Sequence, residues 1–270
     1  MEKDEDVKER LAAYLKELHL PAFRSSYEEL ARQAQQEGLS FEQYLLGLVQ
    51  RECQERRNKR VERLLHDSRL PLEKSWPALD LKRLPAKVVQ QARTLLEGSF
   101  LDRAENVLVF GPPGSGKTHL LSALGQELVR SGRRVLSRKC GLLVQDLLLA
   151  KRDLKLAALL KRLAGYEALI VDDLGYVQQS REEMEVLFTL LAERYERGSV
   201  LLTSNLPFSG WEAIFKDPMT TAAAIDRLVH HSVIIELNLP SYRAEQANKA
   251  KQARQADVGE STSGPGKAKP

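Results

Sequence analysis

The sequence predicts an α/β protein in which a five-stranded parallel sheet lies between helices, preceded by a small all-α domain. Three observations carry this. Residues 6–66 place apolar side chains at helical spacing. From Pro85 onward, short apolar runs alternate with helical stretches, as in a parallel sheet covered on both faces. A glycine-rich loop joins the first of those runs to the helix that follows it.

Taken in order, Val7, Leu11, Tyr14, Leu15 and Leu18 recur at helical spacing, and Pro21 ends that element. A second helix covers Ala22–Gln36, with Gly38 as its stop. Ser40 and Gln43 form a capping box that opens a longer helix through Leu45, Leu48 and Val49. Pro71, Ser75, Pro77 and Asp80 mark a linker. Pro85 suits a first helical position and Gly98 a stop, which predicts a helix over Ala86–Glu97. The predicted strands are Asn106–Phe110, Arg134–Arg138, Ala168–Asp172, Val200–Ser204 and Val233–Leu237. Helices between them include Lys117–Arg130, Leu142–Ala150 and Glu182–Arg197. The final stretch, 257–270, has no apolar periodicity and reads as disordered.

Composition excludes several classes. Hydrophobic residues are 43% of 270, enough for a core. Cys53 and Cys140 have no metal-ligand spacing, so neither a zinc site nor a disulfide framework is expected. No window approaches the roughly 18 apolar residues of a membrane span, and residues 1–6 are mostly acidic, unlike a signal peptide. A soluble cytoplasmic protein with no membrane partner is expected. The 41 basic and 37 acidic residues leave a net charge of +4, too small to argue for nucleic acid by itself.

Gly111, Pro112, Pro113, Gly114, Ser115, Gly116, Lys117 and Thr118 match the phosphate-binding P-loop in full, with an apolar strand entering and an amphipathic helix leaving. The glycines let successive N–H groups turn toward phosphates, and the helix N-terminus adds its dipole. Lys117 supplies charge for the β- and γ-phosphates of ATP, and the Thr118 hydroxyl can ligate Mg2+. The apolar run Leu169–Val171 ends in Asp172 and Asp173. Alone this is a common strand end; after a P-loop it predicts a magnesium ligand, Asp172, and a carboxylate that polarises water, Asp173. Asn205 closes another apolar run, where ligands bind in open parallel sheets. It is read as orienting the water or contacting the γ-phosphate, against the plainer reading of a turn residue before Pro207.

The segments GPPGSGKTHL (which carries His119 beside the loop), ALIVDDLGY, LLTSN, AIDRLVHH and SYR, in this order, resemble the AAA+ ATPases of the initiator and helicase-loader clade, and most closely the IstB-like insertion-sequence transposition helpers. The resemblance runs from the helical domain to about Ala244. It implies a P-loop AAA+ core at 85–245, after a helical domain for DNA or partner binding at 1–70 and a linker at 71–84, with a basic tail at 246–270. It also implies that Arg227 is an arginine finger acting on a neighbour's ATP, where the residues alone suggest an ion pair with Asp226 or another neighbour. Arg243 is placed as a second nucleotide-sensing arginine. The chain has Asp173 where many AAA+ enzymes have glutamate, which suits slow turnover and a switch.

Two basic clusters are candidates for DNA contact: Arg56, Arg57, Lys59, Arg60 and Arg63 on the third helix, and Arg138, Lys139, Lys151, Arg152 and Lys155 around the second strand. Interleaved acids make each residue of the first read foremost as part of a solvated face with i,i+4 pairs, whereas the resemblance puts DNA contact ahead for the cluster as a whole. Aromatics at 6% disfavour a stacking platform for single strands, so phosphate contact with duplex DNA is the expectation. His230 and His231 read as helix-end residues. The function expected is a DNA-stimulated ATPase that forms a ring or spiral on duplex DNA and assists a cognate transposase in target selection or integration. The alternatives are a DnaC-like helicase loader, a nucleotide-gated adaptor and, ranked low, a P-loop small-molecule kinase.

Overall fold

The computed structural model describes residues 2–175, 180–215, 217–242 and 244–245. Arg243 and the tail expected at 246–270 lie outside them. The chain divides into two compact units, Met1–Leu64 and the residues from Leu65 onward.

The first unit holds α1 (Glu2–Glu17), α2 (Pro21–Glu37) and most of α3 (Phe41–Ser68). Pro21 opens α2 as well as ending the segment before it, since a first-turn proline gives up no helical hydrogen bond. Gly38 adopts a left-handed φ of 66° and closes α2 through its N–H to Ala34. The capping box forms as expected: Ser40 N–H donates to Gln43 Oε1 at 2.9 Å, and Gln43 N–H to Ser40 Oγ at 3.3 Å.

One buried carboxylate organises this unit. Glu52, 4% exposed, accepts from the Ala22 N–H at 2.9 Å and the Phe23 N–H at 3.4 Å. It thereby caps α2, whose leading Leu20 has no capping side chain. Arg56 donates to its other oxygen at 2.8 Å and to the His19 carbonyl at 2.7 Å. Burial pushes the Glu52 carboxyl up, but these donors outweigh it and hold the group below the ordinary value of 4.5.

The second unit runs α4 (Ala86–Leu96), α5 (Ser99–Asp102), β1 (Asn106–Phe110), α6 (Lys117–Arg130), β2 (Val135–Lys139), α7 (Cys140–Arg152), α8 (Leu156–Ala164), β3 (Ala168–Leu174), α9 (Arg181–Arg194), β4 (Ser199–Ser204), α10 (Glu212–Phe215), α11 (Pro218–Val229) and β5 (Ser232–Glu236). The strands form one all-parallel sheet in the order β2-β3-β4-β1-β5. β1 and β4 are buried on both faces, which is why they read as unbroken apolar runs. Connections from β1 lead to the far edge on one side, and β4 returns to β5 on the other. The crevice at the carboxyl end of β1 is therefore a topological switch point.

Two corrections apply. The predicted single helix 142–150 is α7, which extends over Cys140–Arg152 and is followed by α8; Leu154, at φ 58°, turns the chain between them. α9 stops at Arg194 rather than Arg197, because Arg194 turns inward. Its guanidinium, 3% exposed, donates to the carbonyls of Leu163, Tyr166, Glu167 and Ser199 at 2.9–3.2 Å. Burial lowers its pKa to about 10, which leaves it charged at neutral pH.

The Glu52 geometry makes a pH-dependent prediction. A carboxyl held below its unfolded value adds stability above that value and loses it as acid protonates the folded group. Glu52→Gln should cost about 1 kcal/mol at pH 7, the usual worth of a helix cap. In urea melts followed by circular dichroism, the gap from wild type should shrink as pH falls below 4.5.

Candidate functional site

The site grows from the carboxyl end of β1. Phe110 ends the strand, the chain makes a tight loop over 111–116, and α6 starts at Lys117 behind a left-handed Gly116. At Gly114, φ is 81° and a Cβ would lie 2.2 Å from Ser241 Oγ; at Gly111 a Cβ would lie 2.4 Å from the Leu237 carbonyl oxygen. Both positions therefore demand glycine on grounds of space as well as φ. Lys117, 7% exposed, folds over the loop and donates to the Gly111 and Pro112 carbonyls at 2.8 and 2.9 Å. The Ser115 hydroxyl is buried with no hydrogen-bond partner among the described residues.

β3 supplies the acids through a bulge. Val171 pairs with Leu202 and Leu174 with Ser204, so Asp172 and Asp173 together face the single residue Thr203. Asp173 takes a left-handed φ of 64°, uncommon for a residue with a Cβ. Thr203 holds this kink. Its hydroxyl donates to Asp172 Oδ1 at 2.6 Å and accepts from the Asp173 N–H at 2.8 Å. The same Asp172 oxygen accepts from the Thr118 hydroxyl of α6 at 2.9 Å. Asp172 is 6% exposed, whereas Asp173 is exposed to the crevice.

A cleft of about 570 Å³ lies over the loop. Pro113 to His119, Asp173 and Asn205 line its polar part; Leu79, Leu84, Leu239 and Tyr242 give it an apolar end. Tyr242 N–H donates to the Gly114 carbonyl at 3.0 Å, and the Arg83 guanidinium sits 5.0 Å from the Tyr242 ring centre. His119 stands 3.1 Å from the Ser75 carbonyl through Nε2. Thus the stretch expected to be only a linker, 71–84, forms a wall of the cleft. No motif spacing marks Leu79, Leu84 or Leu239, so sequence reasoning missed them, as it missed Thr203.

The structure brings the P-loop residues, His119, Asp172, Asp173 and Asn205 together, and leaves Arg227 elsewhere. Arg227 lies in the last turn of α11, its carbonyl 3.4 Å from the Asn106 side-chain amide at the opposite end of β1. Among the described residues it makes no ion pair with Asp226; its guanidinium lies 4.8 Å from the Phe188 ring centre and donates to the Ala223 carbonyl at 2.9 Å.

Several of the basic candidates are occupied. Arg56 serves Glu52, Lys59 pairs with Glu55 at 3.2 Å, Lys151 with Glu185 at 3.1 Å, Lys155 with Asp153 at 3.8 Å, and Arg138 with Asp146. Arg57, Arg60, Arg63, Lys139 and Arg152 are exposed and make no ion pair among the described residues. Beside Thr118 and Asp172, a second cleft of about 460 Å³ is lined by Arg69, Lys74, Arg138 and Lys139. Burial, then repulsion from Arg69 and Arg162, pushes the Arg138 guanidinium below its ordinary value.

A complete P-loop, a bulged acid pair and an all-parallel sheet in this strand order define a P-loop AAA+ ATP-binding core. The family model described as "IstB-like ATP binding protein" matches residues 13–250, and the chain belongs to that family. It is 40% identical over 246 residues to a protein named as an insertion-sequence ATP-binding protein of Sinorhizobium fredii, covering 91% of this chain and 83% of that one. It is 36% identical over 240 residues to one named for the insertion sequence IS21 of Pseudomonas aeruginosa, covering 89% and 91%. Similar solved folds include the DnaC helicase loader, with a TM-score of 0.50 and 17% identity over 56% of this chain and 89% of that one. AMPPCP-bound DnaA from Aquifex aeolicus gives a TM-score of 0.53 and 15% identity, over 68% and 56%.

Thr203 touches both acids, and its loss should be visible in turnover rather than in binding. Thr203→Val should lower kcat for ATP hydrolysis by about 10- to 100-fold, the usual cost of losing an orienting partner, with little change in nucleotide affinity. Thr203→Ser, which keeps the hydroxyl, should recover most of the rate. Equal loss in both variants would mean that packing, not the hydrogen bonds, matters there.

Proposed function

We propose that the chain is an ATP-driven switch on duplex DNA: it binds ATP with magnesium, oligomerises, hydrolyses ATP at subunit boundaries, and assists a transposase in target selection or integration. The observation that carries this is the separation of Arg227 from the cleft. The P-loop leaves the carboxyl end of β1 and Arg227 is tied to its amino end, four residue steps or about 13 Å away. That position supports a reading in which Arg227 serves a neighbour's nucleotide and the active unit is an oligomer, a ring or a spiral.

Within one subunit, the loop N–H groups face the phosphates. Lys117 exchanges its two carbonyl acceptors for phosphate oxygens. The Thr118 hydroxyl and Asp172 carboxylate, 2.9 Å apart, are a hard oxygen pair that fits Mg2+, which would neutralise charge on the β- and γ-phosphates. Asp173 polarises the attacking water and Asn205 orients it or contacts the γ-phosphate. The neighbour's Arg227 stabilises charge on the transferring phosphoryl group. Arg243, outside the described residues, remains the second nucleotide-sensing arginine of this reading.

DNA contact is assigned to the exposed cations Arg57, Arg60 and Arg63 on one side of α3, and to Lys139 and Arg152, while Arg56, Lys59, Arg138, Lys151 and Lys155 contribute charge in proportion to how readily they leave their acids. Such contacts neutralise phosphates and confer little sequence preference. The transposase as partner is supported by relatives whose names place them in insertion sequences. Pull-downs against a transposase and a replicative helicase separate this from helicase loading.

A mixing experiment tests the division of labour. Lys117→Ala and Arg227→Ala should each lose about a thousandfold or more in ATP hydrolysis. Mixed together they should regain activity, since one subunit supplies the nucleotide site and the other the arginine. A mixture as inactive as its components would sink the proposal. Separately, duplex DNA should raise wild-type turnover, with a salt-dependent affinity whose slope falls by roughly two when Arg57 and Arg60 are replaced by alanine.

A further inference from the structure

His230 and His231 have no part in the nucleotide site, yet the fold gives them a third companion. Glu196, in the turn between α9 and β4, brings a carboxylate oxygen to the two imidazoles, and one ligand atom from each residue lies within 4.8 Å of the others. All three side chains are exposed. We propose that Glu196, His230 and His231 form a binding site for a divalent first-row transition metal such as zinc, cobalt or nickel, which would join the turn before β4 to the turn before β5.

The donor chemistry selects the class. Two imidazoles and a carboxylate suit borderline ions that take four ligands, leaving one position for water, whereas Mg2+ prefers oxygen donors alone. The site lies at the amino edge of the sheet, since Glu196 precedes β4 and His231 precedes β5. It is therefore separate from Thr118 and Asp172 at the carboxyl edge.

The backbone beneath it is held by buried polar groups. Arg194 fixes the α9–β4 turn through four carbonyls, and the N–H groups of Arg197 and Gly198 return to the Arg194 carbonyl at 3.0 Å each. Glu196 takes a left-handed φ of 56° within that turn. The other turn is fastened by Asn106, 8% exposed. Its side chain accepts from the Val200 N–H of β4 at 2.8 Å and donates to the Leu228 carbonyl of α11 at 3.1 Å, while its own N–H donates to the His231 carbonyl at 2.7 Å. One side chain thus binds the end of α11 to the start of β4, so the two turns are registered before any ion arrives.

An orienting partner is also present. The Tyr195 hydroxyl lies 2.9 Å from His230 Nδ1, which leaves Nε2 as the ligand atom. A ligating histidine commonly engages its second nitrogen in this way. The His230 and His231 rings stand 4.1 Å apart at 57°, so small rotations of exposed side chains converge their nitrogens.

The test uses the full chain without an affinity tag, titrated with Co2+ and followed by visible absorption and calorimetry. One ion per chain is expected, with the absorption of a four-coordinate site. His230→Ala and His231→Ala should each weaken binding more than tenfold, and Tyr195→Phe about tenfold, as for loss of an orienting partner. Lys117→Ala should leave Co2+ affinity unchanged, and Zn2+ should raise the Tm of wild type but not of the histidine variants. The two histidines are exposed, so their replacement preserves the fold, and circular dichroism verifies folding for all four variants. Equal Co2+ affinity in wild type and in His230→Ala, or no saturable binding in wild type, overturns the proposal.

Discussion

A single oxygen, Asp172 Oδ1, joins three elements of the sheet unit: it accepts the Thr118 hydroxyl of α6 and the Thr203 hydroxyl of β4 while riding on β3. Hydrogen bonds to a charged acceptor are worth roughly 1.5–3 kcal/mol each. These two also set geometry. They fix α6, and with it the P-loop, against the strand that carries the acids. The bulge that puts two aspartates opposite one threonine follows from the same contact, since the Thr203 hydroxyl both donates to Asp172 and accepts the Asp173 N–H. The aspartate that faces the crevice is thus placed by the one that does not.

The opposite edge of the sheet is organised by uncharged and charged donors of another kind. Arg194 donates to backbone carbonyls, while Asn106 donates to the Leu228 and His231 carbonyls and accepts the Val200 N–H, and so they register the ends of α9 and α11 with the starts of β4 and β5. Arg227 rides on α11 above this clasp and against Phe188 of α9. In the helical unit, Glu52 repeats the theme, with one buried carboxylate binding the start of α2 and holding Arg56.

Most of the fold was legible because its signals are local. The apolar runs of β1 and β3, the capping box at Ser40, and the full P-loop between strand and helix each declare themselves within a few residues. The aspartate pair and Asn205 were legible once the P-loop was found. What escaped depends on distant pairing. Thr203 looks like any strand threonine until it is set opposite the bulge. Leu79 and Leu84 look like linker residues until 71–84 folds over the loop. Arg56 reads as a surface charge until Glu52 proves to be buried beside it. The split into α7 and α8, and the early end of α9, turn on Leu154 and on the inward course of Arg194, neither of which is visible in periodicity.

In the proposed assembly, ATP sits between subunits on duplex DNA, with Arg227 of one subunit against the nucleotide of the next. Electron microscopy of the full chain with duplex DNA and a non-hydrolysable ATP analogue tests it most directly. The expected image is an oligomer in which each Arg227 guanidinium leaves Phe188 and reaches a γ-phosphate bound at a neighbour's loop 111–118. A monomer on DNA, or an oligomer with Arg227 facing solvent, would contradict it.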